Sequence, residues 1–183
     1  MKQLHSIIHH VLQNGVESDD RTGVGTLRVF GMQKRWDLSK GFPVPTTKKM
    51  FFVPCKHELQ WFLSGSTNVE VLREMTWGEG STKKTIWDDN YNNQAIALGY
   101  ENGELGPVYG KQWRDFGGVD QIFEVVNQIR NSPNSRRIVC SAWNPTELDK
   151  MALMPCHVLW QVVVIDGKVS LQWYQRSVDV FLG

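Results

Sequence analysis

The sequence predicts an α+β fold, a layered domain in which helices pack on a bulged, mixed or antiparallel sheet. Three observations point there. Apolar residues recur at helical spacing in two well-separated segments, the stretch from Val158 to Tyr174 reads as two strands joined by a tight turn, and no βαβ unit repeats along the chain.

In chain order, Leu4, Ile7, Ile8, Val11 and Leu12 mark a first helix that stops at Asn14-Gly15, a plausible left-handed stop. A strand follows the polar stretch 17–22. Its apolar positions are odd at Leu27 and Val29 and even at Phe30, Met32, Trp36 and Leu38, so a bulge is expected at Gly31. A second helix starts near Pro54, which a first turn tolerates, and runs to the Ser64-Gly65 break. Residues 76–118 are rich in Gly, Asn, Trp and Tyr with weak periodicity, the kind of long irregular segment that carries function. Val119, Ile122, Val125, Val126 and Ile129 give an amphipathic helix ended at residues 131–134, and Arg137 to Trp143 has strand character. Val158 to Ile165 is apolar on both faces and belongs at the centre of the sheet, while Lys168 to Tyr174 alternates. Asp166-Gly167 between them is a two-residue hairpin signal.

With 183 residues, 41% of them hydrophobic, the chain can bury a core without disulfide or metal support. Its 20 basic and 19 acidic side chains leave a net charge of +1, which argues against coating nucleic acid or an anionic membrane, so any phosphate recognition is local. Cys55, Cys140 and Cys156 fit neither a disulfide framework nor a zinc site, and suit a reducing, cytoplasmic compartment. The first helix is not a signal-peptide core, and the longest nearly apolar run falls far short of the ~20 residues of a membrane helix. Neither membrane, nucleic acid nor metal is therefore expected. No linker-like segment or repeat appears, and a single domain over 1–183 is the expectation.

Several side chains have chemical potential. Cys55 and Cys140 read as small buried hydrophobes. Cys156, between a turn and a central strand in Met154-Pro155-Cys156-His157, is either structural or a nucleophile held at a sheet end, where it would need positive charge nearby. His157, the next residue along a strand, points to the other face. Arginines stand beside Gly or Ser in Asp20-Arg21-Thr22-Gly23, Ser135-Arg136-Arg137 and Gln175-Arg176-Ser177. They are either solvated or, if they converge, a phosphate clamp. Of His57 and Glu58 on an otherwise apolar helix, one should face a polar cleft. Tyr109 lies between glycines that permit close backbone approach to a ligand, or is a packed loop aromatic. His5, His9 and His10 form the polar side of a terminal helix.

The motifs stand in a fixed order: Asp-Arg-Thr-Gly at 20–23, His-Glu-Leu-Gln-Trp-Phe-Leu at 57–63, Ile-Trp-Asp at 86–88, Leu-Gly-Pro-Val-Tyr-Gly-Lys-Gln-Trp-Arg at 105–114, Ser-Arg-Arg-Ile at 135–138, Pro-Cys-His at 155–157 and Tyr-Gln-Arg-Ser-Val-Asp-Val-Phe-Leu-Gly at 174–183. Together they resemble the thymidylate synthase family, nearest to its phage-like branch, along essentially the whole chain. The resemblance implies a homodimer built on a sheet face and reductive methylation of dUMP to dTMP in the cytoplasm, the host's if the chain is phage-encoded. 5,10-methylenetetrahydrofolate would be the co-substrate supplying both carbon and hydride.

By resemblance, Cys156 is the nucleophile that adds to pyrimidine carbon 6, and Arg176 is the cation beside it. Arg21, Arg176 and Ser177 hold the phosphate, joined by Arg136 and Arg137 from the second subunit, with Gln175 also counted among the substrate contacts. Glu58 organises water and proton transfer at the pyrimidine carbonyl, and Tyr109 takes part in removing the carbon 5 proton. Asp179 contacts substrate and pterin, Trp87 lines the folate pocket with Phe51, and Lys48 and Lys49 attract the glutamate tail. Two departures from the family pattern fall at folate-contacting positions, Phe51 in place of a histidine and Asn90-Tyr91 where a further tryptophan is common. Neither touches the nucleophile or the clamp.

The family continues past Phe-Leu-Gly into an asparagine that reads uracil, a His and Tyr that hold the sugar, and a C-terminus that closes over folate. The expectation is therefore an N-terminal part of such an enzyme, incomplete at its C-terminus and inactive alone. A dUMP or dCMP hydroxymethylase of the same family is the nearest alternative. A phosphate-binding or dimerising fragment without catalysis is the alternative of a different class.

Overall fold

The computed structural model describes residues 2–19 and 23–181, and the chain divides into two units: the residues up to Phe51 together with those from Val178 on, and Phe52–Ser177.

In the first unit, helix α1 (Lys2–Asn14) is followed by a short antiparallel pair, β1 (Val16–Ser18) and β2 (Thr26–Arg28), in the register Glu17↔Leu27. The helix ends at the expected residue for a different reason. Gly15 lies outside the left-handed range; a Cβ there would come within 2.4 Å of the Val11 carbonyl oxygen and 3.0 Å of the Leu27 Cβ. The carbonyl of the helix's own last turn, with β2 beside it, requires the glycine, not a left-handed turn. Beyond Arg28 the strand expected to run to Leu38 is absent. Gly31 has φ +75° but lies in no strand, because residues 29–37 find no ladder partner among the described residues.

The second unit holds the elements around Cys156. Helix α2 (Phe52–Ser64) carries Pro54 in its first turn, where the missing N–H costs nothing. Helix α3 (Val69–Trp77) is capped by Asn68, whose Oδ1 accepts from Glu70 N at 2.8 Å. Residues 88–98 form one continuous helical passage of changing pitch: α4 (Asp88–Asn90), a π turn (Tyr91–Ala95) and a 3-10 turn (Ile96–Leu98). Three successive periods in eleven residues explain the weak periodicity of this segment. Helix α5 (Tyr109–Arg114) and α6 (Gln121–Asn131) follow, the latter capped by Asp120, whose Oδ1 accepts from Phe123 N at 2.9 Å.

The sheet is antiparallel, in the order β3 (Val139–Ser141), β4 (His157–Ile165), β5 (Lys168–Gln175), with β4 central as its sequence demanded. The hairpin turn has Asp166 at φ +50° and Gly167 at φ +69°, the left-handed pair of a type I′ turn. The ladder's bulge falls between His157 and Leu159, not at Gly31. By register Cys140, Trp160 and Val162 share the face toward the helices. Val139, Leu159, Ile165 and Tyr174 share the opposite face and are all exposed. The core is aromatic at its centre. Trp61 is fully buried and donates its indole N–H to the Asn68 carbonyl at 3.0 Å, with Phe62, Leu72, Leu105, Val108 and Ile138 around it. Among the described residues no helix is long and apolar enough to cross a membrane.

Candidate active site

Three elements converge on Cys156: α2, the start of α5, and the sheet edge where β4 begins. The loop into α5 is fixed by two glycines. Gly106 has φ +75° and approaches the Lys150 carbonyl so closely that a Cβ would sit 2.2 Å from it, and a Cβ on Gly110 would be 2.4 Å from the Ser66 carbonyl. These glycines admit neighbouring protein backbone and no ligand, so of the two expectations for Tyr109 the packed aromatic holds. The clamp leaves Tyr109 only 3% exposed, its ring stacked on Phe62 at 4.5 Å between centroids.

The Tyr109 hydroxyl accepts from two backbone amides, Cys156 N at 2.7 Å and His157 N at 3.1 Å. It thereby ties the cysteine's backbone to the aromatic core, close to the bulge. Burial pushes the phenol up to about 12, so it stays neutral at physiological pH. Glu58 turns inward from α2 and accepts from the Trp87 indole N–H at 2.6 Å. Desolvation raises its carboxyl above the ordinary range, and the indole bond partly opposes this. Trp87 is itself 3% exposed, its ring against Trp61, Phe62 and Tyr109 at centroid distances of 5.4, 6.1 and 6.1 Å. Glu58 is thus the member of the His57-Glu58 pair with a polar partner; the Nδ1 of His57 is buried without one among the described residues.

Cys156 is half-buried, and its carbonyl accepts from Arg176 N at 3.0 Å. The Arg176 side chain donates from Nε to the Pro155 carbonyl and from Nη2 to the Met154 carbonyl, both at 2.9 Å, and its guanidinium lies 5.8 Å over the Trp143 ring. The arginine thus straps the turn that presents the thiol. Ser177 next to it is exposed, and Gln175 donates to the Ser177 carbonyl at 3.1 Å while accepting from the Trp173 indole at 3.3 Å. Of the other thiols, Cys140 is buried and pushed up to about 12 by desolvation, hence inert. Cys55 is exposed on the first turn of α2, contrary to the buried position expected for it, because α2 is buried only near its other end, at Trp61 and Phe62.

Arg136 and Arg137 are exposed and stand before β3, whose residue Val139 pairs with Gln161. The Gln161 side chain donates to the Arg136 carbonyl at 3.0 Å. From Cys156 to Gln161 is five residues of strand, ~16 Å at 3.3 Å each. Within one chain the backbone of the pair thus lies beside the middle of β4, well away from Arg176 and Ser177 at its start. Arg21 lies outside the described residues. Lys48, Lys49, Phe51 and Asp179 belong to the other unit, where Lys48 Nζ donates to the Phe181 carbonyl at 2.5 Å, Lys49 lies 5.4 Å over the Phe51 ring and Asp179 accepts from Phe181 N at 2.9 Å.

Sequence reasoning missed the two contacts that organise the site, Trp87 to Glu58 and Tyr109 to the Cys156 amide. They join residues 29 and 47 positions apart, and no spacing rule reaches that far. It also missed the ion-paired cluster behind Trp87, for which Asp88 in Ile-Trp-Asp was the available signal.

The sequence model of the family described as thymidylate synthase matches residues 2–183. Thymidylate synthase of Enterobacteria phage T4 is 60% identical over 183 residues, covering all of this chain and 64% of the phage protein. A probable thymidylate synthase of Escherichia phage T5 is 51% identical over 184 residues, covering all of this chain and 66% of the relative. The crystal structure of thymidylate synthase from phage T4 superposes with a TM-score of 0.95 over the whole chain and 64% of that structure. The chain thus spans about two-thirds of the length of these relatives. A match that runs from residue 2 to the last residue, with the same fold and with Cys156 held between Tyr109 and Arg176, leads to one conclusion: the chain belongs to the thymidylate synthase family.

Proposed function

We propose that this chain carries the nucleophile, the acid/base carboxylate and part of the phosphate clamp of an enzyme that converts dUMP to dTMP. The observation that supports it most is the double acceptance by the Tyr109 hydroxyl, which fixes the backbone of a half-buried thiol, with the half-buried Glu58 carboxyl also close enough to act on that phenol. Carbon 5 of uracil is a poor nucleophile. Addition of the Cys156 thiolate to carbon 6 moves the ring's electrons toward carbon 5 and the carbonyl oxygen, and so divides one hard step into two easier ones. Glu58, raised by burial, is the group placed to give a proton to that oxygen and recover it later. Tyr109, neutral, orients the water that takes the carbon 5 proton.

5,10-methylenetetrahydrofolate supplies the one-carbon unit and the hydride and leaves as dihydrofolate. Trp87, although only 3% exposed, is assigned to the folate side with Lys48, Lys49, Phe51 and Asp179, which offer cations, a ring and an acceptor suited to a folate's glutamate and pterin ends. Arg176, Ser177, Gln175 and Arg21 are assigned to the dUMP side.

The enzyme would be a homodimer. Arg136 and Arg137, before β3 and anchored beside the middle of β4, stand away from the start of β4 where Arg176 straps the turn, and the exposed apolar face of Val139, Leu159, Ile165 and Tyr174 is suited to pairing with a second copy that would bring them to its phosphate. Three free thiols suit a cytoplasmic setting.

The test is the chain completed with the C-terminal third of the phage T4 relative, assayed for dihydrofolate with dUMP and with dCMP. Turnover of dUMP that disappears in Cys156→Ala is the expected result. No dihydrofolate from dUMP would overturn the reading.

A further inference from the structure

At the backbone of Trp87, whose indole reaches Glu58, lies a cluster for which the proposed chemistry has no use. Asp88 is 5% exposed, and three donors converge on its carboxylate: Thr85 N at 2.5 Å, Thr85 Oγ1 at 2.8 Å and the Arg73 guanidinium. The same guanidinium pairs with Glu70, so both ends of the fork are occupied. Thr85 Oγ1 also accepts from Trp87 N at 3.2 Å. Trp87 is therefore bracketed, with Thr85 two residues before it and Asp88 immediately after it locked to each other, and α3 anchoring both through Arg73. The bracketed residue in turn makes a 2.6 Å bond to Glu58. A backbone fixed on both sides by a buried, multiply bonded carboxylate gives the indole little freedom to swing away.

We propose that Arg73, Asp88 and Thr85 are positioning residues that hold the Trp87 indole as a fixed donor to Glu58, and so set the orientation of the carboxylate used in the reaction. The inference about the reaction rests on the reading given above; the positioning itself does not. The remaining titratable groups around Glu58 are Tyr109 from α5, with Cys156 and His157 beyond its hydroxyl at the start of β4, and His57 on α2 itself. Burial alone would push the Asp88 carboxyl up, but the Thr85 and Arg73 donors together hold it below its ordinary range, so the lock stays ionised wherever Glu58 titrates.

The test reads Trp87 directly in the 183-residue chain carrying 15N-labelled indoles, with the Trp87 resonance identified by its loss in Trp87→Phe. In the parent chain the Trp87 indole proton is expected downfield and titrating with Glu58, and Glu58→Gln removes that titration. Asp88→Asn and Thr85→Val should both move the resonance toward its free position. Both should also raise the Glu58 midpoint by about half a pH unit or more, because a donor to the carboxylate is weakened. Thr85→Val keeps the ion pair and decides the matter if Asp88→Asn does not fold. An unchanged resonance and midpoint in folded variants, even with lowered stability, would overturn the proposal and leave the cluster a structural ion pair. If the titration moves as stated but the completed chain fails to act on dUMP, the positioning stands and the functional reading falls.

Discussion

Replacing Tyr109 with phenylalanine removes one oxygen and leaves the ring where it packs, 4.5 Å from Phe62 and 6.3 Å from Trp113. That oxygen accepts from both the Cys156 and His157 amides. A buried donor left without an acceptor costs about 1–3 kcal/mol, and these two are only part-buried, so the lower end applies to each and the sum is about 2 kcal/mol. For a chain of this length that corresponds to a fall of about 4–8 °C in Tm. The local consequence is more specific: the two amides lose protection, and the cysteine's backbone is no longer tied to the core. Urea denaturation gives the first quantity, and amide hydrogen exchange at Cys156 and His157 gives the second. In the completed enzyme kcat should fall about tenfold or more, since the thiol is no longer held in register with its substrate. A stability loss below about 0.5 kcal/mol, with both amides as protected as before, would refute the reasoning.

Glu58→Gln keeps the indole partner and removes a half-buried carboxylate. Because the folded-state value of Glu58 is raised, the folded chain binds the proton more tightly than the unfolded one, and wild-type stability declines as pH rises above the unfolded value of about 4.5. The variant's stability advantage over wild type should therefore grow between pH 4 and pH 7, and paired urea titrations at the two pH values check the sign. Gly110→Ala drives a Cβ into the Ser66 carbonyl at 2.4 Å, a backbone atom that cannot rotate away, and should cost about 1–3 kcal/mol in the same measurement. A thiol reagent followed by mass spectrometry should modify Cys55 and Cys156 in the folded chain and reach Cys140 only after unfolding. The isolated chain, which covers 64% of its phage T4 relative, should form no measurable dTMP where the completed chain does.

The parts of the fold that were legible from sequence share one property: the information is local. Asp166-Gly167 forces positive φ at two consecutive positions, and that alone fixes the hairpin and its register. The stop at Ser64-Gly65 and the helix of 121–131 are likewise written in a few adjacent residues. The strand expected after Arg28 shows the opposite case. Its alternation is real, but a strand exists only by hydrogen-bonding to another, and residues 29–37 have no such partner among the described residues. The passage 88–98 failed differently, since a single-period test cannot register a helix that passes through three pitches.

The same division runs through the site. Cys156 could be singled out because a cysteine between a proline turn and a central strand is locally odd. What makes its position usable is non-local: a hydroxyl 47 residues earlier in the chain and an arginine 20 residues later that donates to the two carbonyls before it. Glycines show how the inference can invert. Gly106 and Gly110 carry the same local signal whether the close neighbour is a ligand or another strand of backbone, and only the fold reveals that Lys150 and Ser66 fill those spaces. The rigidity of Tyr109 follows from that filling, and the placement of the thiol follows from Tyr109. The glycines therefore bear on catalysis through packing, and Gly110→Ala should disturb the Cys156 amide as well as global stability, although residue 110 lies outside the reacting groups.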